Sequence, residues 1–338
     1  MDTLFILQNI WFILIGVLFA GYAILDGFDL GIGILFPFFA KTEEQKEKVF
    51  KIVSPFWDGN EVWLLTAGGA LFAAFPDAYA TVFSGFYLAL MIVLFALMFR
   101  AVSFKFWFND EKRKGLWAWS FIIGSFLPAL LYGVALGNVI QGIPMGDIVN
   151  GVKMKSQFEF QGNFFTLLRP FPLSIGLLGL GAILLQGSTF AIMKTAGEIQ
   201  ERAFKAAKGS LIFFAATLAI ALCATIIFVP ELMGNALPWI IFILIIGALI
   251  LLYLFIKKKE EGKSFTVSSI LFGLLMLLAG TVHYPNIVKG LKGVNSITMV
   301  NGSSSELTLK VMFIIAIIGM PIVIAYSIFI YRVFRGKV

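Results

Sequence analysis

Nine stretches of mostly apolar residues, each about long enough to cross a bilayer, recur along this chain with shorter polar segments between them. A bilayer core needs about 20 apolar residues per helix. Inside hydrocarbon every backbone polar group must be satisfied within the protein, so runs of this length fold as helices. The candidate spans are 8–38, 57–75, 79–104, 116–140, 164–193, 205–229, 237–256, 265–285 and 308–334. The second is short and opens on charged residues in "FWDGNEVW". Only 13 % of residues are charged and 59 % are hydrophobic, whereas a soluble domain carries about 25 % charged residues. The chain therefore reads as an all-α integral membrane protein, a single membrane domain over 1–338. The opening run "MDTLFILQNIWFILIGVLFAGYAIL" has an acid in place of a basic leader region and an apolar part too long for a signal peptide. The first helix is expected to be retained.

Orientation follows from the loops. "KTEEQKEKVFK", "FKFWFNDEKRK", the segment 194–208, "KKKEEGK" and the tail "YRVFRGKV" fall on one side, and with Arg100 they hold 20 of the 26 Lys and Arg residues. The positive-inside rule places that side in the cytoplasm, so the N-terminus is outside and the C-terminus cytoplasmic. The net charge of +7 is accounted for by this topology signal, and no nucleic-acid partner is expected.

An internal repeat is also visible. "GVLFAGYAILDGFD" (16–29) aligns without gaps on "GLLGLGAILLQGST" (176–189) with five identities. Helices one and five of the nine point the same way, which suggests two parallel four-helix bundles, 8–140 and 164–285, plus an additional ninth helix, 308–334. In that alignment Asp26 corresponds to Gln186 and Asp29 to Thr189. At these aligned positions only the first repeat carries carboxylates.

Ionisable residues at membrane depth are the candidate functional groups, because a charge at the bilayer centre costs about 2.5–3.5 kcal/mol on insertion scales. Asp26 and Asp29 are three apart, on one face of the first helix. Gly27 and Gly31 make a small-xxx-small pair that lets another helix approach. Asp58 and Glu61 repeat the spacing at the start of the second span, and Arg100 closes the third. For Asp58 and Glu61 the bland alternative is capping of a helix N-terminus. For Asp26 and Asp29 it is an ion pair with Arg100. The functional reading is a relay carrying protons inward from the cytoplasm: an acid buried without a cation exchanges protons near neutral pH, whereas one paired with Arg100 stays charged and structural. His283 reads as an interfacial hydrogen-bonder, and Asn138 and Gln141 as partners for backbone or cap groups. Glu198, Glu201 and Arg202 read as a solvated face. With one histidine and one cysteine, Cys223, the chain is expected to hold no metal, disulfide or iron–sulfur cluster.

The motifs "GYAILDGFDLGIG", "FWDGNEVWLLTAGGALFAAFPDAYATVFSGFY", "FRAVSFKF", "GSFLPALLYGVALGNVIQG", "GNFFTLLRPF" and "QGSTF", in this order, closely resemble subunit II of the cytochrome bd quinol oxidases. The resemblance implies nine helices in two four-helix bundles with an extra helix. It implies a homologous subunit I that carries a low-spin haem b, a high-spin haem b and haem d, together with the external loop where quinol is oxidised. A small single-helix subunit accompanies some members. The complex oxidises membrane quinol and reduces dioxygen to water, generating a proton-motive force without pumping, and subunit II binds no haem of its own. The resemblance also implies a cytoplasmic proton route at the subunit interface, for which Asp29 and Asp58 are the leading candidates here, with Asp26 as neighbour, Glu61 nearby and Arg100 as an ion-pairing group. It places the protein in a bacterial or archaeal cell (inner) membrane. Two other classes remain open from the residues themselves: a proton-coupled secondary transporter built on the same carboxylates, and a structural scaffold with silent acids.

Overall fold

A computed structural model describes residues 2–146, 148–149, 152–153 and 157–338. Eleven α-helices make up its body: α1 Thr3–Phe39, α2 Glu43–Val53, α3 Trp57–Ala74, α4 Pro76–Gly85, α5 Tyr87–Asn109, α6 Lys114–Gln141, α7 Pro170–Lys194, α8 Gly197–Phe228, α9 Ala236–Lys257, α10 Glu261–His283 and α11 Glu306–Val333. Eight of them, α1 and α5 to α11, are long and apolar enough to cross a membrane. The protein is a multi-pass membrane protein.

The expected second span is α3, and among the described residues it is not one of those eight. It has 18 residues, and its first turns carry Asp58, Asn60 and Glu61, which depress its hydropathy. The expected third span, 79–104, is divided. Phe75, with φ −135° and ψ 69°, turns a corner after α3, and Pro76 starts α4 at its first position, where a missing N–H costs nothing. Phe86 then separates α4 from α5. The fifth span starts later than its apolar run: Phe164–Leu167 is a 3₁₀ turn capped by Asn163, and α7 begins at Pro170. The basic segment after α1 is not a bare loop. Thr42 and Gln45 form a reciprocal capping box that starts α2, whose Val49, Phe50, Ile52 and Val53 are buried. Short antiparallel pairs, Met145–Gly146 with Glu159–Phe160 and Asn286–Val288 with Ile297–Thr298, tie the two longer loops at the opposite end.

α7 is the central helix: 72 % of its most apolar window is buried, against none of that of α11. It packs against α1, α6, α8 and α10. Its approach to α1 needs glycine on both sides. A β-carbon on Gly31 would lie 2.2 Å from the Ile183 carbonyl oxygen, and one on Gly187 would lie 2.4 Å from the Gly31 carbonyl carbon. The two helices related by the repeat thus lie side by side. At the Lys/Arg-rich end, called the basic end below, the C-terminal tail folds back: the Val338 N–H donates to the Lys194 carbonyl at 3.0 Å, and Lys337 pairs with Glu261 at 2.7 Å.

A buried carboxylate cluster as the candidate functional site

Tyr22, Asp26 and Asp29 follow one another at helical spacings of four and three, so α1 presents all three on one stripe. Each is buried, and both aspartates are fully so. α3 lies across this stripe and brings two neighbours with different tasks. Asn60 turns to Asp29, and Glu61 turns to Arg100 of α5.

Asp26 sits in an ion pair. Arg100 Nη2 donates to its Oδ1 at 2.7 Å and Nη1 to its Oδ2 at 3.3 Å, while the Tyr22 hydroxyl donates to Oδ2 at 2.8 Å. The same Arg100 Nη2 lies 2.7 Å from Glu61 Oε1. The hydroxyls of Tyr22 and Tyr132 are 3.2 Å apart. Tyr22 has one hydrogen and gives it to Asp26, so Tyr132 is the donor in that contact. Tyr132, Tyr22, Asp26, Arg100 and Glu61 form one connected network. Of the two alternatives open for Asp26, the geometry supplies the ion pair. Glu61, read from sequence as a cap or a relay, is a second acceptor on the same guanidinium, and α3 has no side-chain cap.

Asp29 is placed differently. Its Oδ2 accepts from Asn60 Nδ2 at 2.7 Å, and its Oδ1 is buried without a partner. Asn60 Nδ2 also reaches the Leu25 carbonyl at 3.2 Å, and Asn60 Oδ1 accepts from the Tyr331 hydroxyl of α11 at 3.2 Å. Among the described residues Asp29 has no salt bridge, whereas Asp26 and Glu61 share the Arg100 guanidinium. Asp58, by contrast, is exposed. It lines a groove of about 550 Å³ at the basic end, with Ser54, Trp57, Lys105, Asn109 and Tyr326. One helical turn separates it from Glu61, a spacing that puts two side chains about 5–6 Å apart at Cβ.

The position aligned with Asp26 in the second half has lost its charge and is satisfied. Gln186 Oε1 accepts from Ser268 at 2.5 Å, and Nε2 donates to Ser269 Oγ at 2.9 Å and to the Ile24 carbonyl at 3.2 Å. Thr189, aligned with Asp29, donates back into its own helix, to the Leu185 and Gln186 carbonyls.

The remaining polar residues are anchors. Asn138 holds the Val134 and Leu167 carbonyls and accepts from Arg169, as its sequence setting suggested. Gln141 Oε1, expected to bond, is buried without a partner. Glu198 is exposed and meets Gln45 and Arg202, and Glu201 meets Lys259 at 2.7 Å. His283 Nε2 lies 2.7 Å from the Ile287 carbonyl, as expected of an interfacial hydrogen-bonder, and the ring lines neither the groove nor the apolar crevice described next. Cys223 is a free thiol, and among the described residues no group of three or more metal-ligating side chains converges. The crevice, about 180 Å³, runs between α6, α7, α8, α9 and α10, and its lining includes Phe171, Leu222, Met233, Trp239 and Met276 with Thr225 as a rare polar member.

Sequence reasoning passed over Asn60, Tyr22, Tyr132 and Tyr331. Asn60 had a signal, since it stands between Asp58 and Glu61 in "DGNE". The tyrosines had none.

Comparisons with known proteins agree on one family. The family model described as cytochrome bd terminal oxidase subunit II matches residues 7–334. The chain is 34 % identical to the cytochrome bd-I ubiquinol oxidase subunit 2 of Escherichia coli (strain K12), over 98 % of this chain and 95 % of that one. It is 33 % identical to the cytochrome bd ubiquinol oxidase subunit 2 of Bacillus subtilis (strain 168), over 98 % of this chain and 97 % of that one. Its fold is shared with a chain in the structure of bd oxidase from Geobacillus thermodenitrificans, with a TM-score of 0.79 at 16 % identity, covering 97 % of this chain and 98 % of that one. An all-helical membrane body and a family match over almost its whole length place this chain in the cytochrome bd terminal oxidase subunit II family.

Proposed function

We propose that this chain is the haem-free subunit II of a quinol-oxidising, dioxygen-reducing complex, and that it supports a haem-bearing subunit I and conducts protons to it from the cytoplasm. The low-spin haem b, high-spin haem b and haem d sit in subunit I, where quinol is oxidised and water is formed. A small single-helix subunit completes the assembly. The membrane is the bacterial inner membrane, with the basic end in the cytoplasm. α3 is the ninth crossing, carried at membrane depth by the polar contacts of Asn60 and Glu61 to α1 and α5, and the N-terminus lies outside.

One observation carries the proton reading: Asp29 is fully buried and, among the described residues, has no salt bridge and keeps one oxygen without a partner. The buried cluster sets one guanidinium against three carboxyls. Three negative charges on one positive charge, two of them fully buried, are not tolerated in this cluster, so at least one acid holds a proton. Asp26 has two guanidinium bonds and a tyrosine donor, which hold it in place. The exchangeable proton resides on Asp29 or Glu61. Protons enter by the Asp58 groove, pass to Glu61 one turn deeper, and load Asp29. The Asp26–Arg100 pair holds the field constant while they do so. The haems supply the oxygen chemistry, and the residues here only hold and move protons.

The transporter reading is less well supported. A coupled transporter needs a polar solute site near the midplane, and the crevice between α6 and α10, in the half away from the basic end, is apolar. The test is a purified complex in liposomes. The native complex should be coloured and consume oxygen with a quinol donor. Asp58→Asn should keep its haem and lose turnover. Full turnover at full haem content would remove Asp58 from the route, and haem loss would assign it to assembly.

A further inference from the structure

The ninth helix of the expected pattern, α11, is the least enclosed in the chain, with none of its apolar window buried. Yet one of its side chains enters the carboxylate cluster. Tyr331 packs its ring against Phe56, at 4.7 Å between centroids, and Phe28, at 6.3 Å, and its hydroxyl reaches Asn60 Oδ1 at 3.2 Å. The geometry points to Tyr331 as a positioning residue for Asp29. By donating to Asn60 Oδ1, it satisfies the amide end turned away from the carboxyl and so steadies the Nδ2 end against Asp29. This rests on the reading of Asp29 as a proton carrier and adds the group that sets its state.

The reasoning is a count of donors and acceptors. Asn60 has one acceptor end and one donor end. The donor end faces two acceptors, the Leu25 carbonyl and Asp29 Oδ2. The acceptor end faces only the Tyr331 hydroxyl. A turned amide would put its oxygen against both the Leu25 carbonyl and a charged Asp29, and that arrangement is tolerable only when Asp29 carries a proton and donates it. The Leu25 carbonyl, which can only accept, selects the orientation in which Asp29 receives a hydrogen bond, and the Tyr331 hydroxyl donates to the other end of the amide and holds it there. The charged groups acting on Asp29 are Asp26, Glu61 and Arg100, while α7 and α10 present the neutral Gln186 and Ser268 beside α1. No other element supplies a donor to Asp29 among the described residues.

A second observation explains how Tyr331 is held although α11 is otherwise loose. The last turn and the tail are bolted to the basic end of α7. The buried Lys194 ammonium donates to the Phe334 carbonyl, and it lies 5.3 Å from the Phe56 ring and 5.8 Å from the Phe190 ring. The Val338 N–H returns to the Lys194 carbonyl. Lys337 and Gln200 converge on Glu261. The tail thus clamps the turn that carries Tyr331 against the same Phe56 that starts α3 beside Asn60.

The experiment follows the Asp29 carboxyl in the assembled, purified complex by infrared difference spectra, its protonated C=O band being the one lost in Asp29→Asn. Tyr331→Phe keeps the ring and its packing and removes one hydrogen-bond donor. It should displace the pH midpoint of that band, and of the matching limb of turnover, by about half to one unit with haem content unchanged. Lys194→Met, which frees the tail but leaves the hydroxyl, should move the midpoint the same way by less, and it decides the matter alone if Tyr331→Phe does not assemble. An unmoved midpoint in the variants that assemble, with the band and turnover still dependent on Asp29, overturns the role of Tyr331 and leaves the proton reading standing. A band and a turnover indifferent to Asp29→Asn overturn both. A uniform loss of amplitude at every pH would show Tyr331 to be packing only.

Discussion

Arg100→Gln is the substitution with the largest consequence that the cluster geometry allows to be worked through. The guanidinium gives two bonds to Asp26, which is fully buried, and one to Glu61, whose side chain is 21 % exposed. Glutamine is too short and carries no charge, so Asp26 would keep only the Tyr22 hydroxyl. Removing one partner of a buried pair costs about 3–5 kcal/mol because the other charge is stranded. The Glu61 bond adds little to this, being partly screened by solvent. At about 1.4 kcal/mol per tenfold, the ratio of folded to unfolded protein falls by roughly two to three and a half powers of ten. Neutralising the stranded partner reverses most of the loss: in Asp26→Asn/Arg100→Gln the Tyr22 hydroxyl still has an amide oxygen to donate to. The assay is the temperature at which half of the haem-loaded complex survives a fixed incubation, since a multisubunit membrane protein does not unfold in two states. Arg100→Gln should lower it steeply, and the double variant should recover at least half of the loss. A tolerated single variant, or a double variant no better than the single, would refute the assignment of the pair as a structural anchor.

Other outcomes are as definite. Gly187→Val puts a β-carbon 2.4 Å from the Gly31 backbone, which cannot yield, and should cost about 1–3 kcal/mol in thermal survival and yield. Gly209→Ala, with nothing within 4 Å, is the neutral control. At the opposite end, burial pushes the Glu231 carboxyl up, but its bond to Lys289 and its own backbone N–H outweigh this and hold it below the usual glutamate value. A lowered folded value means the bridge is fully formed above the ordinary value of about 4.3 and is lost as the outer pH falls through the depressed one. Amide exchange across 230–235 should therefore accelerate on acidification, and Glu231→Gln should abolish that pH response.

The membrane body is written in apolar run length, and the carboxylates stand out because acids are rare in such runs. Even the Asp26–Arg100 pair is readable, since Arg100 is the one cation within the apolar run 79–104, although α5 continues past it to Asn109. What escapes hydropathy is backbone detail and neutral partners. Pro76 and the Phe75 corner break an apolar run that a window averages over, and α3 carries polar residues that only its contacts to α1 and α5 make bearable. Asn60 and Tyr331 come from segments 271 positions apart, and a phenol at the end of an apolar helix is as common at a lipid interface as in a network. The different fates of Asp26 and Asp29 were equally hidden. Three residues apart on one stripe, they differ only in which neighbour of α3 and α5 reaches each.

The account stands or falls on Asp29 carrying protons while Asp26 stays fixed. The direct measurement is the rate at which the assembled complex, reconstituted in one orientation, generates membrane potential during quinol oxidation, compared between the native chain and Asp29→Asn at equal haem content. The account predicts that potential generation and oxygen consumption fall together by severalfold or more in Asp29→Asn. A native rate of both, with haem intact, would contradict it.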